Sequence, residues 1–226
     1  MHYFLVYDDG QYTNHVNKLL NSVAKYGKQF KLVKFNKTQI HADFITYNQT
    51  IFNLDKGGGY WLWKPYIIDM LLKLIQDGDI VFYLDSKYYF VQDFAALYES
   101  YLQQNDFLIW KNKPNEPVFQ MKNWCKMDVI LKYNMYQKIF AENADDCWAG
   151  AFVLRKTTRV CEIINEWLRM CCNYDDITDE PSKTKNASEF IDHRHDQSLL
   201  SIVLYKHQIP FHFFEKKYLQ NERKPW

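Results

Sequence analysis

Apolar positions along the chain recur with two periods, and the switches between them predict an α/β domain. Residues 2–7 and 31–35 are short β-rich runs, and residues 79–84 (Asp-Ile-Val-Phe-Tyr-Leu) form the almost unbroken apolar stretch expected of a strand buried on both faces. Val16, Leu19, Leu20 and Val23 recur at helical spacing, with Thr13 available as a cap and Gly27 as a terminator. Pro65, read as a first helical position, precedes a second stripe of Ile67, Met70, Leu71, Leu74 and Ile75. Residues 93–103 predict a helix, 106–110 a strand, 111–122 a loop carrying Pro114 and Pro117, and 149–154 another strand. Thr157 starts a helix with Val160, Ile163, Ile164, Trp167 and Leu168 on one face. The polar stretch 173–186 predicts a mobile loop. A helix over 188–206, with Phe190, Leu199, Ile202 and Val203 inward, and a strand over 209–214 complete the pattern. Strands alternating with helices predict a mostly parallel central sheet flanked by helices.

Composition narrows the class. At 226 residues with 47% hydrophobic content, the chain can bury one sizeable core, so residues 1–226 are read as a single domain. A formal net charge of +1 excludes the basic footprint of a protein that binds polyanions mainly by charge, and nucleic acid is not an expected partner. The five cysteines are odd in number and lack CxxC pairs, which fits free thiols in a reducing compartment. The first apolar stretch is too short for a signal peptide or a membrane span. The expected location is cytoplasmic, with attachment to the cytosolic face of a membrane through exposed aromatics left open.

The densest chemistry lies between Gly57 and Lys87. Asp85 follows the apolar strand, at the sheet edge where open α/β folds bind ligands. A carboxylate held there can bind a metal or a sugar hydroxyl. Lys64 lies in the turn before a helix amino terminus, which already favours a phosphate. Trp61 and Trp63 are two residues apart, so an extended backbone would send both to one face, either to stack on a base or sugar or to fill the core. Gly57, Gly58 and Gly59 let the backbone approach a phosphate or simply turn it.

Four blocks in order resemble the signatures of small GT-A glycosyltransferases of polysaccharide and glycan gene clusters: Gly58-Gly59-Tyr60-Trp61-Leu62-Trp63-Lys64-Pro65, Tyr83-Leu84-Asp85-Ser86, Trp148-Ala149-Gly150-Ala151-Phe152 and His193-Arg194-His195-Asp196-Gln197-Ser198. The resemblance implies a Rossmann-like sheet, a nucleotide-sugar donor, a UDP-sugar by expectation, and a saccharide or lipid-linked saccharide acceptor. It also implies an Asp-x-Asp element that bridges the donor diphosphate through Mn²⁺ or Mg²⁺. Here that element is Asp85-Ser86-Lys87, so a single carboxylate remains for a cation that prefers several oxygen ligands. In one reading Lys87 stands where the cation would sit, and Asp85 binds ribose or sugar hydroxyls.

By the same resemblance, Asp196 and Gln197 lie under the donor sugar. Asp196 then acts either as general base toward the acceptor hydroxyl or as a stabiliser of an oxocarbenium-like transition state. His195 orients Asp196 or binds phosphate, and Arg194 forks onto phosphate or a structural carboxylate. Trp148 and Gly150 line the sugar pocket, with a core position for Trp148 as the alternative, and Tyr7 and Asp8 seat the base. His212 and Lys224-Pro225-Trp226 echo a pairing that closes over the diphosphate, which makes His212 a candidate metal ligand beside Asp85. Two other readings remain: a nucleotidyltransferase making nucleotide sugars, which lacks its glycine-rich basic loop after the first strand, and a catalytically inactive carbohydrate-binding module.

Overall fold

The computed structural model describes residues 1–111, 117–214 and 216–221. Along the chain run β1 (His2–Tyr7), α1 (Thr13–Tyr26), β2 (Phe30–Phe35), α2 (Trp63–Leu74), β3 (Ile80–Leu84), β4 (Tyr88–Phe90), β5 (Phe107–Lys111), β6 (Cys147–Arg155), α3 (Thr158–Cys171), α4 (His195–Lys206), β7 (Phe211–Phe213) and β8 (Leu219–Asn221), with shorter helical turns between them. Six strands form one sheet in the order β2-β1-β3-β6-β5-β7, and β4 pairs with β8 apart from it. β1 is parallel to β2 and β3, and β5 to β7, whereas β6 runs antiparallel to β3 and β5. The expected mostly parallel sheet is found, mixed by β6 alone, which is inserted against the common direction.

Side-chain alternation splits the core into two layers. Phe4 and Val6 of β1 and Phe82 and Leu84 of β3 face α1, meeting Val16, Leu19 and Val23 and the rings of Phe30, Phe90 and Phe94. Leu5 of β1 and Val81 and Tyr83 of β3 face the other way, onto Ile67 and Leu71 of α2, Ile163 and Trp167 of α3, and Leu199 and Ile202 of α4. Both faces of the sheet are covered, which is why residues 80–84 carry no polar side chain except the hydroxyl of Tyr83.

In β6 the alternation slips by one. Cys147 and Ala149 belong to the α2 side, yet so do Phe152 and Leu154. The pairing with β5 shifts over the same stretch, from Ile109 opposite Phe152 to Lys111 opposite Cys147. Such a bulge re-aims side chains beside a strand end. Here it falls next to Asp85, whose backbone N–H donates to the Gly150 carbonyl at 2.8 Å.

Several expected elements are corrected. Thr13 does not cap α1; its hydroxyl donates to Asp8 Oδ1 at 3.0 Å instead. α2 begins at Trp63, so Pro65 is its third residue, where a missing N–H still costs nothing. Leu74 is exposed and Ile68 and Leu72 take its place inside. Residues 93–103 do not form one helix but two short turns, Ala95–Leu97 and Glu99–Leu102, which bury Phe94, Tyr98 and Leu102. The predicted loop 111–122 runs partly through residues outside those described, and a helical turn already begins at Met121. α4 starts at His195, not 188.

The stretch 173–186 is fastened rather than free. Lys126 Nζ donates to the carbonyls of Thr178 and Glu180 at 3.0 Å, and the Asp128 carboxylate accepts the N–H groups of Lys183 and Thr184. Asn173 caps a turn over Tyr174–Ile177. Polar composition signals a loop, but its polar groups are spent on tying the segment down.

Candidate active site

A cleft of ≈ 650 Å³ opens at the carboxyl edge of β1 and β3, where α2 and α4 begin. Its floor is an ion-paired triad in which Lys64 and Asp196 are buried and Asp85 is partly exposed. Lys64, the second residue of α2, is 4% exposed, and its ammonium lies 2.8 Å from Asp196 Oδ2 and 3.9 Å from Asp85 Oδ1. Asp196 is the second residue of α4 and is also 4% exposed. The three residues come from distant stretches of sequence and share one charge network.

Local backbone explains the approach to Lys64. Gly57, Gly58, Gly59, Tyr60 and Trp61 have φ of 62°, 63°, 93°, 51° and 59°, five successive residues in the left-handed region. A side chain at Gly57 would collide with the Trp61 ring at 2.5 Å, so the glycine is demanded by close packing as well as by φ. Tyr60 and Trp61 adopt this costly conformation while anchored: Tyr60 donates to Asp179 at 2.8 Å and Trp61 stacks on His195 at 5.5 Å. The backbone is therefore not extended here, yet both tryptophans still line the cleft, each with its own ring partner. Trp63 stacks on Tyr7 at 3.9 Å, and its indole N–H donates to the Gly57 carbonyl.

Electrostatics follow burial. Burial alone would depress the Lys64 ammonium, but Asp196 and then Asp85 outweigh it and hold it above its ordinary value. Burial raises the Asp196 carboxyl to about 6 despite the adjoining Lys64. Tyr83, two residues before Asp85 on the same strand face, donates to Asp85 Oδ1 at 2.9 Å and is held well above the usual phenol range by burial and that carboxylate. Burial pushes His195 down to about 4 and His193 down to about 3. Both rings are neutral at physiological pH.

Most of the sequence candidates line this cleft: Tyr7, Trp61, Lys64, Asp85, Ser86, Lys87, Trp148, Gly150, Arg194, His195, Asp196 and Gln197. Gly150 is a fixed choice, since a Cβ there would meet Trp148 Nε1 at 2.5 Å and Asp85 Oδ2 at 2.8 Å. Trp148 turns its edge to Tyr88 and Phe214 and is half-buried, part pocket wall and part core. Three expectations fail. Asp8 does not line the cleft; its carboxylate is turned into its own loop, accepting from the Gly10 N–H and the Thr13 hydroxyl, and Asp9 faces the cleft instead. His195 does not orient Asp196, because its Nδ1–H donates to the Ile177 carbonyl at 2.8 Å. His212 packs on Tyr101 at 4.5 Å, away from the cleft wall, and Lys224-Pro225-Trp226 lies outside the described residues.

His193, which opens the fourth sequence block but carries no assigned role there, also lines the cleft, as do Asp9, Tyr12, His15, Trp124 and Asp192, which sequence reasoning does not single out. Trp124 carries the Arg194 guanidinium 3.8 Å above its ring. Nothing in the spacing of these residues marks them, because His15 on α1, Trp124 on a helical turn and the others on loops are brought to the cleft only by the tertiary fold.

The divalent cation implied by the resemblance does not fit this donor set. Asp85 Oδ1 already accepts Tyr83 and faces Lys64, and Oδ2 faces the Lys87 ammonium at 4.0 Å. Among the described residues no group of three or more His, Cys, Asp or Glu side chains is able to hold a metal ion. No described helix is long and apolar enough to cross a membrane.

No protein-family model and no curated protein matches the sequence. Among solved structures the chain is similar to the bifunctional glycosyltransferase WbbM, with a TM-score of 0.55 at 14% identity, over 94% of this chain and 38% of that one. It is also similar to mouse xyloside xylosyltransferase 1, with a TM-score of 0.49 at 11% identity over 96% and 86% of the two chains. Against LgtC, a galactosyltransferase crystallised with donor and acceptor sugar analogues, the TM-score is 0.47 at 14% identity, over 89% and 70%. At these identities the likeness establishes the fold alone: an α/β fold with a six-stranded mixed sheet, shared with GT-A glycosyltransferases.

Proposed function

We propose that the protein is a GT-A glycosyltransferase that moves a hexose from a nucleotide sugar, a UDP-sugar, to a hydroxyl of a saccharide or lipid-linked saccharide, as in polysaccharide biosynthesis. The observation that carries this reading is the convergence of Lys64, Asp85 and Asp196 on one cleft at the carboxyl edge of parallel strands. The stacked Tyr7 and Trp63 offer a flat wall for the base. Asp85 and Ser86 suit ribose or sugar hydroxyls. Lys87, a third exposed and on the cleft wall, suits the diphosphate, where bond cleavage builds negative charge that a fixed cation stabilises. Asp196 is ionised above about pH 6 and has one oxygen committed to Lys64. Of its two candidate roles, that arrangement favours stabilising positive charge on the sugar ring over abstracting a proton.

Purified protein offered a panel of nucleotide sugars should release nucleoside diphosphate slowly from one of them, and Asp196→Asn should lower that rate by about 100-fold or more. Release that continues in a chelator supports lysines at the diphosphate. Loss with chelator and return with Mn²⁺ would give that task back to a metal. Neither turnover nor thermal stabilisation by any nucleotide sugar would remove the reading altogether.

A further inference from the structure

Asp146 is buried one residue before β6, and among the described residues no cation lies within ion-pair distance of it. Its Oδ1 accepts the Ser201 hydroxyl at 2.7 Å, and its Oδ2 accepts the Gln197 side-chain amide at 2.5 Å. The other end of that amide is also engaged: Gln197 Oε1 accepts the Ala149 N–H at 3.3 Å. The Ala149 carbonyl faces Lys64 Nζ at 3.5 Å, so Asp146, Gln197, the Ala149 peptide and the Lys64–Asp196 pair form one continuous polar chain under the cleft.

A buried carboxylate with no cation in contact is costly, and the more distant Arg194 charge only partly offsets the burial of Asp146. If accepting one hydrogen bond were all this position did, an asparagine oxygen would serve at lower cost. The two differ in what they permit. A carboxylate only accepts, whereas a carboxamide both donates and accepts. Opposite an asparagine, Gln197 could turn over by 180° and remain satisfied on that side. Opposite Asp146 it cannot, because its oxygen would then face an acceptor and the Ala149 N–H would face an NH₂ group.

We infer that Asp146 is a positioning residue that locks the Gln197 carboxamide in one orientation on the cleft floor, with its carbonyl toward the β6 bulge and its NH₂ toward the interior. One Gln197 lone pair and one N–H remain for a ligand, at fixed positions beside Asp196. The catalytic consequence rests on the reading of this cleft as a nucleotide-sugar site, where that floor faces the donor sugar. The orientation itself does not depend on that reading.

Two measurements decide the matter. In donor turnover, Asp146→Asn should lower kcat about 30-fold with KM changed by no more than about threefold, and Gln197→Ala should lower it at least as much. Adding Asp146→Asn to Gln197→Ala should cost almost nothing further, the non-additivity expected of groups acting as a unit. Equal losses in both backgrounds would mean that Asp146 acts without Gln197 and would overturn the inference. In ¹⁵N–¹H spectra the Gln197 amide pair, identified by its absence in Gln197→Ala, should be one protected pair in the wild type and two or averaged pairs in Asp146→Asn. An exposed, rapidly exchanging pair in the wild-type spectrum would overturn the inference even if the protein turned over no nucleotide sugar, an outcome that would separately defeat the proposed function.

Discussion

Two clusters in this molecule repeat one arrangement, a lysine between two aspartates, at opposite degrees of burial. On the floor, Lys64 lies 2.8 Å from Asp196 and 3.9 Å from Asp85; on the rim, Lys56 lies 3.0 Å from Asp179 and 3.9 Å from Asp192. The distances nearly coincide, yet Lys64 is 4% exposed and the Lys56 side chain 41%. At the rim, water and salt screen the charges, so the Lys56 ion pairs contribute little to the fold. On the floor Lys64 and Asp196 are desolvated, so their mutual attraction must offset a large penalty and the loss of either leaves the other stranded. Geometry alone therefore does not separate the two clusters: burial does, and the cluster built at high cost is the one assigned to the donor site in the proposed function.

Removing the floor lysine should break the comparison most strongly. Lys64→Met leaves Asp196 buried without its cation and should destabilise the fold by about 3–5 kcal/mol in urea denaturation. A loss below about 1 kcal/mol would put floor and rim on the same footing.

The histidines between the clusters sharpen the contrast. His193 stays neutral in the fold down to about pH 3, because burial penalises its charged form, while the unfolded chain takes up that proton near the ordinary value of 6.5. Its contribution is therefore intact above pH 6.5 and is lost as pH falls toward 3. Asp146 and Asp196, raised to about 6, act with the opposite sign, gaining stability as pH falls through 6. The His193 share is isolated by difference: the change in unfolding free energy between pH 7 and pH 5 should be roughly 2 kcal/mol less unfavourable in His193→Asn than in the wild type. Equal pH dependence of the two proteins would contradict burial of a neutral ring.

The smallest effect belongs to the rim. Lys56→Ala should cost no more than about 1 kcal/mol, and less in 0.5 M salt, by the same denaturation measurement. A larger, salt-insensitive loss would show that exposure is the wrong criterion for separating the clusters.

The floor is legible in the sequence only in part, for physical reasons that differ by residue. Asp85 stands out because a charge that ends a strand buried on both faces is seldom placed there by packing, and the strands at 2–7, 31–35 and 79–84 are close to β1, β2 and β3. Lys64 is visible as a helix-terminus cation, but its burial is not, since the partner that permits it lies 132 residues away. The sequence pattern starts α4 too early because residues 188–194 carry helix-compatible side chains, and nothing local reveals that His195 turns the chain with φ of 53°. The antiparallel insertion of β6 and its bulge are tertiary choices that periodicity does not encode. Asp146 escapes sequence reasoning on the same ground: along the chain it is one of two adjacent acidic residues in a polar turn, and only packing makes it a buried carboxylate facing Gln197.

Titration calorimetry of a nucleotide sugar into the wild type, Asp85→Ala and Asp196→Asn, each in chelator, tests the convergence of Lys64, Asp85 and Asp196 on a donor site most directly. Binding to the wild type that weakens at least about tenfold in Asp85→Ala and Asp196→Asn is the expected result. No binding of any nucleotide sugar to the wild type, or undiminished binding by the variants, would contradict it.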